Sequence, residues 1–340
     1  MACADHLQSP PVEQLEINPA VLSARKQATP ACPLCGYRNT AHAFTENGCN
    51  LRKCATCGLF FVHPYPDGTR QHRRVSSGES AKIKILDCER RRRGEILYYQ
   101  RHFDLVAEEC RNAQSLLDVG CGTGCLLERL SSKPSLYTAG IELNAQAAQF
   151  ARRVSGRPIY EVPFEEFRSD RKFDAITLIN VLSHVPSFDG MFRSLRTALR
   201  PGGKIILRTS EMTGNVSRWN QVHWGIPDDL HFLGLGTLDF LCTKYGFTIT
   251  RHIRIPFEEE LFLRSRWEQM GRSRIHNFIK VAGVRAPFVL SALRKLYTET
   301  LGQRLFISFV VLTPTQIKKE MFADSKQPSS NSSLGASGIN

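Results

Sequence analysis

Leu116-Leu117-Asp118-Val119-Gly120-Cys121-Gly122-Thr123-Gly124 is the stretch on which the fold of this chain turns. An apolar run of strand-forming residues is followed by three glycines at alternate positions, and then by Leu126 to Leu130, which reads as a helix. Glycines at such a junction allow a sharp turn and let the backbone approach a ligand closely. The next apparent strand, Ala139-Gly140-Ile141-Glu142, ends on an acid one strand further along the chain than Gly124, the last glycine of the loop. A carboxylate there can accept both ribose hydroxyls of a nucleoside ligand. Glycines alone would also fit a bare strand-to-helix turn; the acid at this interval is what points to a ligand.

Working outward, strands are expected at Phe173 to Ile179, Lys204 to Arg208, Phe247 to Ile253 and Leu305 to Leu312, with helices around Phe188 to Leu199 and Leu238 to Tyr245. Strands alternating with helices imply an α/β fold, a doubly wound, largely parallel, Rossmann-like sheet covered on both faces. The organisation read from composition is a loosely held leader at 1–29, a small cysteine module at 30–66, a basic connector at 67–95, the α/β core at 96–255, a helical insertion at 256–303, the last core strand at 304–314 and a Ser/Asn/Gly-rich disordered tail at 315–340.

In the small module, Cys32 and Cys35 form one C-x-x-C and Cys54 and Cys57 another, with positions 36 to 53 between the pairs. That spacing fits a four-cysteine zinc ribbon, in which each pair sits on a tight turn, helped here by Gly36 and Gly58, and four thiolates surround the ion. The competing readings are a redox pair and unligated core cysteines. A closed quartet leaves no open coordination position, so the metal would hold the module together and do no chemistry. Cys49 lies off the spacing.

The 340 residues suggest about two folded units, and 42% hydrophobic with 23% charged side chains excludes a wholly disordered or collagen-like chain. The longest apolar run, Leu305 to Leu312, is far short of the roughly 20 residues that span a bilayer, and eleven cysteines in so long a chain read as a reducing, cytoplasmic environment. The net charge of +13 is local: residues 70 to 93 carry nine basic and three acidic side chains, and residues 251 to 304 carry eleven and five. The segments bearing the chemistry are close to neutral.

These residues resemble a known family, the class I S-adenosylmethionine-dependent methyltransferases. Leu116 to Gly124 is similar to their first motif, Glu142 to their ribose acid, Phe173-Asp174-Ala175-Ile176-Thr177-Leu178 to their fourth strand, and Leu199-Arg200-Pro201-Gly202-Gly203-Lys204 to the turn before their fifth. The quartet followed by Gly58-Leu59-Phe60-Phe61-Val62-His63-Pro64 further resembles a bacterial subgroup with an N-terminal zinc ribbon, including sugar C-methyltransferases and methyltransferases of polysaccharide or natural-product pathways. The resemblance implies a seven-stranded sheet, with Asp118, Gly120, Gly122 and Gly124 around the methionine end of S-adenosylmethionine. It also implies Glu142 on the ribose, Leu143 beside the adenine and Asn180 bordering the cofactor. A dehydrogenase reading fits less well, because the longer G-x-G-x-x-G spacing is missing.

The sulfonium is already activated, so such an enzyme aligns the acceptor and, for an alcohol, phenol or carbon acid, removes a proton. Candidate bases are His184, in the loop after the fourth strand, and the cluster His223, Asp229 and His231. The plain alternatives are a loop-anchoring histidine at 184 and helix caps at Asp228 and Asp229. Arg90 to Arg93 read as a solvated helix face, and residues 257–303 as amphipathic helices packed over the sheet, with contact to a membrane surface or lipid-linked substrate as the rival. The expected activity is methyl transfer to oxygen or carbon of a small biosynthetic intermediate, a sugar nucleotide among the candidates. The alternative is an RNA methyltransferase gripping its substrate with ribbon and connector.

Overall fold

The computed structural model describes residues 29–65, 88–213, 226–256 and 304–315. The leader to residue 28, the connector from 66 to 87, the insertion from 257 to 303 and the tail beyond 315 lie outside the described residues, as does His223.

Strands β1 (Thr40–Glu46) and β2 (Cys49–Cys54) form a hairpin. Its turn, Asn47-Gly48, holds positive φ at both residues, 49° and 73°, which is why this dipeptide stands there. β3 (Phe60–His63) pairs antiparallel with β2. There follow α1 (Cys88–Glu109), β4 (Ser115–Val119), α2 (Cys125–Leu130), β5 (Tyr137–Ile141), α3 (Ala145–Ser155), β6 (Ile159–Tyr160), β7 (Phe173–Ile179), a short 3-10 turn at Leu182–His184, α4 (Phe188–Ala198), β8 (Leu199–Thr213), β9 (His231–Phe232), α5 (Thr237–Tyr245), β10 (Phe247–Pro256) and β11 (Arg304–Pro314).

Seven of these strands form one sheet in the order β10-β11-β8-β7-β4-β5-β6. The pairs from β8 to β6 are parallel, whereas β11 runs antiparallel between β8 and β10. Every residue of β4 is buried, the signature of a strand covered on both faces. Helix starts are fixed locally: the Asn144 side chain accepts the Ala147 N–H ahead of α3, and the Ser187 side chain accepts the Gly190 N–H ahead of α4. The chain leaves β4 toward β5 on one side and later returns to β7 on the other. This reversal opens a crevice at the carboxyl ends of β4 and β7, where doubly wound sheets bind ligands.

Two strands, β6 and β9, escape a sequence reading, since two residues carry no periodicity. β8 is far longer than the expected Lys204 to Arg208, because β7 and β11 pair along opposite edges of it. α1 begins at Cys88, so the boundary drawn at residue 95 falls inside a helix. No described helix is long and apolar enough to cross a membrane.

The small module is completed from a distance. β9 pairs antiparallel with β3, Phe61 opposite His231 and Phe60 opposite Phe232, giving a four-stranded sheet β1-β2-β3-β9. The Val62 N–H donates to the Leu230 carbonyl at 2.8 Å, and the Thr237 hydroxyl donates to the Cys57 carbonyl at 2.8 Å. Glycine is required where the two parts meet: a Cβ on Gly234 would lie 1.9 Å from the Gly58 carbonyl oxygen, and one on Gly58 would lie 2.3 Å from that of Leu235. Phe44, Leu51, Phe60 and Val62 form one apolar cluster with Met212, Ile226 and Phe232. Each large side chain buried in that way contributes about 1.5–3 kcal/mol.

Candidate functional site

At the crevice the glycine loop folds onto the end of β5. The Gly120 and Cys121 N–H groups both donate to the Ile141 carbonyl, at 2.7 and 2.9 Å. Gly120 also has φ 71°, and a Cβ there would sit 2.5 Å from a methyl of Val181, so glycine lets the loops after β4 and β7 touch.

Glu142 is buried beneath this loop. Its Oε2 accepts the Gly122 N–H at 2.9 Å and its Oε1 the Asn144 N–H at 2.8 Å, which leaves each oxygen a further lone pair. Burial raises its pKa, opposed by those N–H groups and by the Arg91 guanidinium. Asp118 is buried at the end of β4 and accepts the Thr177 hydroxyl at 2.7 Å. Burial pushes its carboxyl up to about 7, with the Glu142 and Glu95 charges adding to the rise and the Thr177 hydrogen bond opposing it. Leu143 follows half-buried.

The reading of Arg90 to Arg93 as a solvated face is corrected at two positions. Arg92 makes a forked pair with Glu128, Nη2 to Oε1 at 2.6 Å and Nε to Oε2 at 3.2 Å. Arg91 turns onto the glycine loop: its Nε donates to Glu95 at 2.6 Å, Glu95 in turn accepts the Thr123 hydroxyl at 2.5 Å, and a Cβ on Gly122 would lie 3.1 Å from Glu95. Arg91 Nη1 is shielded from solvent and has no hydrogen-bond partner among the described residues. Arg91 and Glu95 were legible as an i,i+4 pair once the helix start is known, but a connector drawn to residue 95 hides them.

Asn180 directly follows β7 and has φ 60°, a conformation Asn tolerates better than most residues. Its side chain accepts Arg208 Nη1 at 3.0 Å, and its N–H donates to the Arg208 carbonyl at 2.9 Å. Arg208 is itself buried, donating to the Tyr98 hydroxyl at 2.5 Å and lying over the rings of Tyr98 and Tyr99. This buried cation was not foreseen.

On the other side of the crevice the structure brings His184, Asp229 and His231 together. His184 Nδ1 meets the Asp228 carbonyl at 2.8 Å; a carbonyl only accepts, so Nδ1 carries a proton, and the neutral form of the ring has its lone pair at Nε2. That Nε2 lies 3.5 Å from Asp229 Oδ1, which also accepts the Ser183 hydroxyl at 2.8 Å. His231 differs. It is buried, its Nε2 donates to the Leu182 carbonyl at 2.6 Å, its Nδ1 meets the Tyr65 hydroxyl at 3.1 Å, and burial holds its pKa down at about 3. Both ring nitrogens are engaged.

The four cysteine sulfurs lie within 4.8 Å of one another, with Cys32 to Cys57 at 3.6 Å and Cys35 to Cys54 at 3.5 Å. A tetrahedral ion bound at about 2.3 Å per thiolate separates its sulfurs by about 3.7 Å, so the quartet fits one. Cys57 donating to Cys32 lowers the Cys32 thiol to about 5, while Cys57 is pushed far up by holding that proton and by burial. Four ionised thiolates at this spacing need a cation among them. A separate, mostly apolar cavity of about 720 Å³ lies between the module and α5, lined by Lys53, Cys57, Leu235 and Phe240 among others, and shares no residue with the glycine loop.

Residues 89–252 match a family model described as a methyltransferase domain. The chain is 35% identical over 113 residues to the ubiquinone biosynthesis O-methyltransferase of Idiomarina loihiensis, covering 31% of this chain and 45% of that protein. It is 32% identical over 143 residues to the protein of the same name from Pasteurella multocida, covering 37% and 58%. The chain thus spans about half the length of the curated relatives it matches. Among solved structures, coclaurine N-methyltransferase bound to N-methylheliamine and SAH is 14% identical with a TM-score of 0.44, covering 63% of this chain and 71% of that one.

Proposed function

We propose that this chain, built around a class I S-adenosylmethionine-dependent methyltransferase domain, moves the methyl group of S-adenosylmethionine to an oxygen of a small biosynthetic intermediate. The observation that carries the reading is Glu142, held by two backbone N–H groups under the glycine loop at the carboxyl end of β5, next to the strand at which the sheet reverses, with lone pairs left for two ribose hydroxyls. Arg91 Nη1 is the group for the carboxylate of the cofactor's methionine, Glu95 and Asp118 are the groups for its ammonium, and Leu143 and Asn180 border the rest. Zinc is the fitting ion for Cys32, Cys35, Cys54 and Cys57, in a structural role.

Oxygen is preferred over carbon because the relatives are named for O-methylation, and because a single histidine suffices for a phenol, whose ordinary pKa is about 10. A sugar nucleotide is the less favoured acceptor. In this mechanism the cofactor supplies an activated methyl group, and the protein's residues supply alignment and a base. His184 Nε2 takes the acceptor proton, and the imidazolium so formed rests 3.5 Å from the Asp229 carboxylate, which stabilises it. His231, with both nitrogens engaged, holds the loop. The test is transfer of an isotopically labelled methyl group from the cofactor to phenolic acceptors, compared with sugar nucleotides and RNA; label on RNA alone overturns the reading.

Glu142→Ala should weaken cofactor binding by about 1.5–3 kcal/mol, roughly 10- to 150-fold, through loss of charge-assisted hydrogen bonds. Titration calorimetry reads this, and an unchanged affinity would move the ribose elsewhere.

Cofactor binding should also release a proton near neutral pH. Asp118 is raised from 3.8 to about 7 in the folded chain, so its protonated form favours the folded state. That contribution is fully present below about pH 4 and is lost as pH rises through 7. An arriving cation stabilises the carboxylate and expels the proton, so affinity should increase as pH rises through the same range. Binding heats measured at pH 6.5 in buffers of different ionisation enthalpy should therefore diverge, and the divergence should vanish in Asp118→Asn; identical heats in wild type would refute the linkage.

A further inference from the structure

The loop bearing His184 is held at every residue by a segment distant in sequence. The Leu182 carbonyl accepts His231 Nε2 at 2.6 Å, the Ser183 carbonyl accepts the Leu230 N–H at 2.7 Å, and the Ser183 hydroxyl donates to Asp229. His184 donates to the Asp228 carbonyl. The next residue, Val185, has its carbonyl oxygen 3.2 Å from the hydroxyl of Tyr65, which also meets His231 Nδ1 at 3.1 Å. Tyr65 follows closely on β3, which ends at His63, so this contact ties the cysteine module to the loop.

The hydrogens can be followed. His231 Nε2 must carry a proton to meet a carbonyl, so the neutral ring presents a lone pair at Nδ1. The single phenol proton then lies between two acceptors, Nδ1 and the Val185 carbonyl. The His231 ring packs against that of Tyr65, nearly parallel at 9° with centroids 6.2 Å apart, and against that of Phe188 at 4.4 Å. Removing the hydroxyl leaves the Val185 carbonyl and His231 Nδ1 to compete for no donor, and a buried acceptor without one is costly. The relief available is for the 182–185 turn to shift.

We propose that Tyr65 is a positioning residue for His184: its hydroxyl, borne by the cysteine module, fixes the turn so that Nδ1–H points at the Asp228 carbonyl and Nε2 at Asp229 and the acceptor. The proposal rests on the reading of His184 as the base, but it is tested without turnover. Among the described residues, the titratable groups that face His184 from the packed elements include Asp229 and His231.

The experiment is nitrogen-15 NMR of the full chain with labelled histidine, the His184 ring assigned by comparison with His184→Gln. In wild type the ring should be held as the Nδ1–H tautomer. In Tyr65→Phe it should become a mixture of tautomers with a titration midpoint displaced by at least half a pH unit. Zinc content and S-adenosylmethionine affinity should stay within twofold, which separates displacement of the turn from loss of the fold. His231→Gln, which breaks the same bridge from the other side, should give the same mixture and serves if Tyr65→Phe does not fold. An unaltered His184 tautomer and midpoint in a folded Tyr65→Phe or His231→Gln protein would overturn the proposal. A His184 ring correctly held and Tyr65-dependent, in a protein whose His184→Gln variant transfers methyl groups at full rate, would instead overturn the assignment of the base and leave the positioning intact.

Discussion

Cys54→Ser is expected to empty the quartet of metal and to melt two stretches of backbone that are far apart in sequence. Structural zinc contributes on the order of 10–16 kcal/mol of apparent binding free energy to small modules, and three thiolates with a hydroxyl hold the ion much less well. The module has no apolar core of its own to replace the ion, since Phe44, Leu51, Phe60 and Val62 pack in one cluster with Met212, Ile226 and Phe232 from outside it. The melting should not stop there. β9 has β3 as its antiparallel partner, and the Leu230 carbonyl takes the Val62 N–H, so loss of β3 removes the hydrogen bonds that tie residues 230–232 to the module and leaves those to the 182–184 turn. Elemental analysis should find about one zinc per chain in wild type and almost none in the variant. Hydrogen exchange should accelerate both in 49–65 and in 229–237, while β4 and β7 keep their protection. Acceleration confined to the first stretch would show the two to be independent; retention of one zinc per chain would remove the quartet as the metal site.

His184→Gln is expected to slow single-turnover methyl transfer by about 10²–10⁴, with cofactor affinity nearly unchanged. Gln retains an amide N–H donor for the Asp228 carbonyl, set one bond further from the backbone than Nδ1, while the proton acceptor is lost. That choice matters because His184→Ala would confound the base with the anchor. The rate of a wild-type enzyme limited by this base should fall as pH drops below the imidazole midpoint, and the variant should lose that limb. A variant that retains the wild-type rate and pH profile would mean that the acceptor arrives already ionised, and that alignment alone carries the reaction.

The glycine loop and the quartet were legible because their physical demands are local. Gly120 and Gly122 need positive φ, Glu142 must stand at a fixed interval, and two C-x-x-C turns need only their own few residues. The long parallel strands were legible because burial on both faces writes a mostly apolar run, as in Phe173–Ile179, where Asp174 and Thr177 are the polar exceptions. Arg91 was misread because a run of four arginines looks like a solvated surface, and which of them turns inward depends on the phase of a helix that starts at Cys88. Tyr65 and Arg208 could not be singled out, since their partners, Val185 and Asn180, stand far off along the chain and belong to no motif shared with them. His231 read as a candidate base because it stands with His223 and Asp229 in one stretch between predicted elements; in the structure both of its ring nitrogens are engaged.

The strand contributed by His231–Phe232 also sets what can be exchanged between proteins of this architecture. A chimera that transplants residues 30–65 alone would carry a sheet edge whose complement stayed behind, together with the seam where a Cβ on Gly234 would strike the Gly58 carbonyl and a Cβ on Gly58 that of Leu235. The heritable unit is therefore discontinuous: the cysteine module and the stretch from Ile226 to Thr237 have to travel together. During synthesis the same arrangement makes the module wait, because its first three strands are complete at His63 and its last, beginning at His231, leaves the ribosome only after most of the parallel sheet has been made.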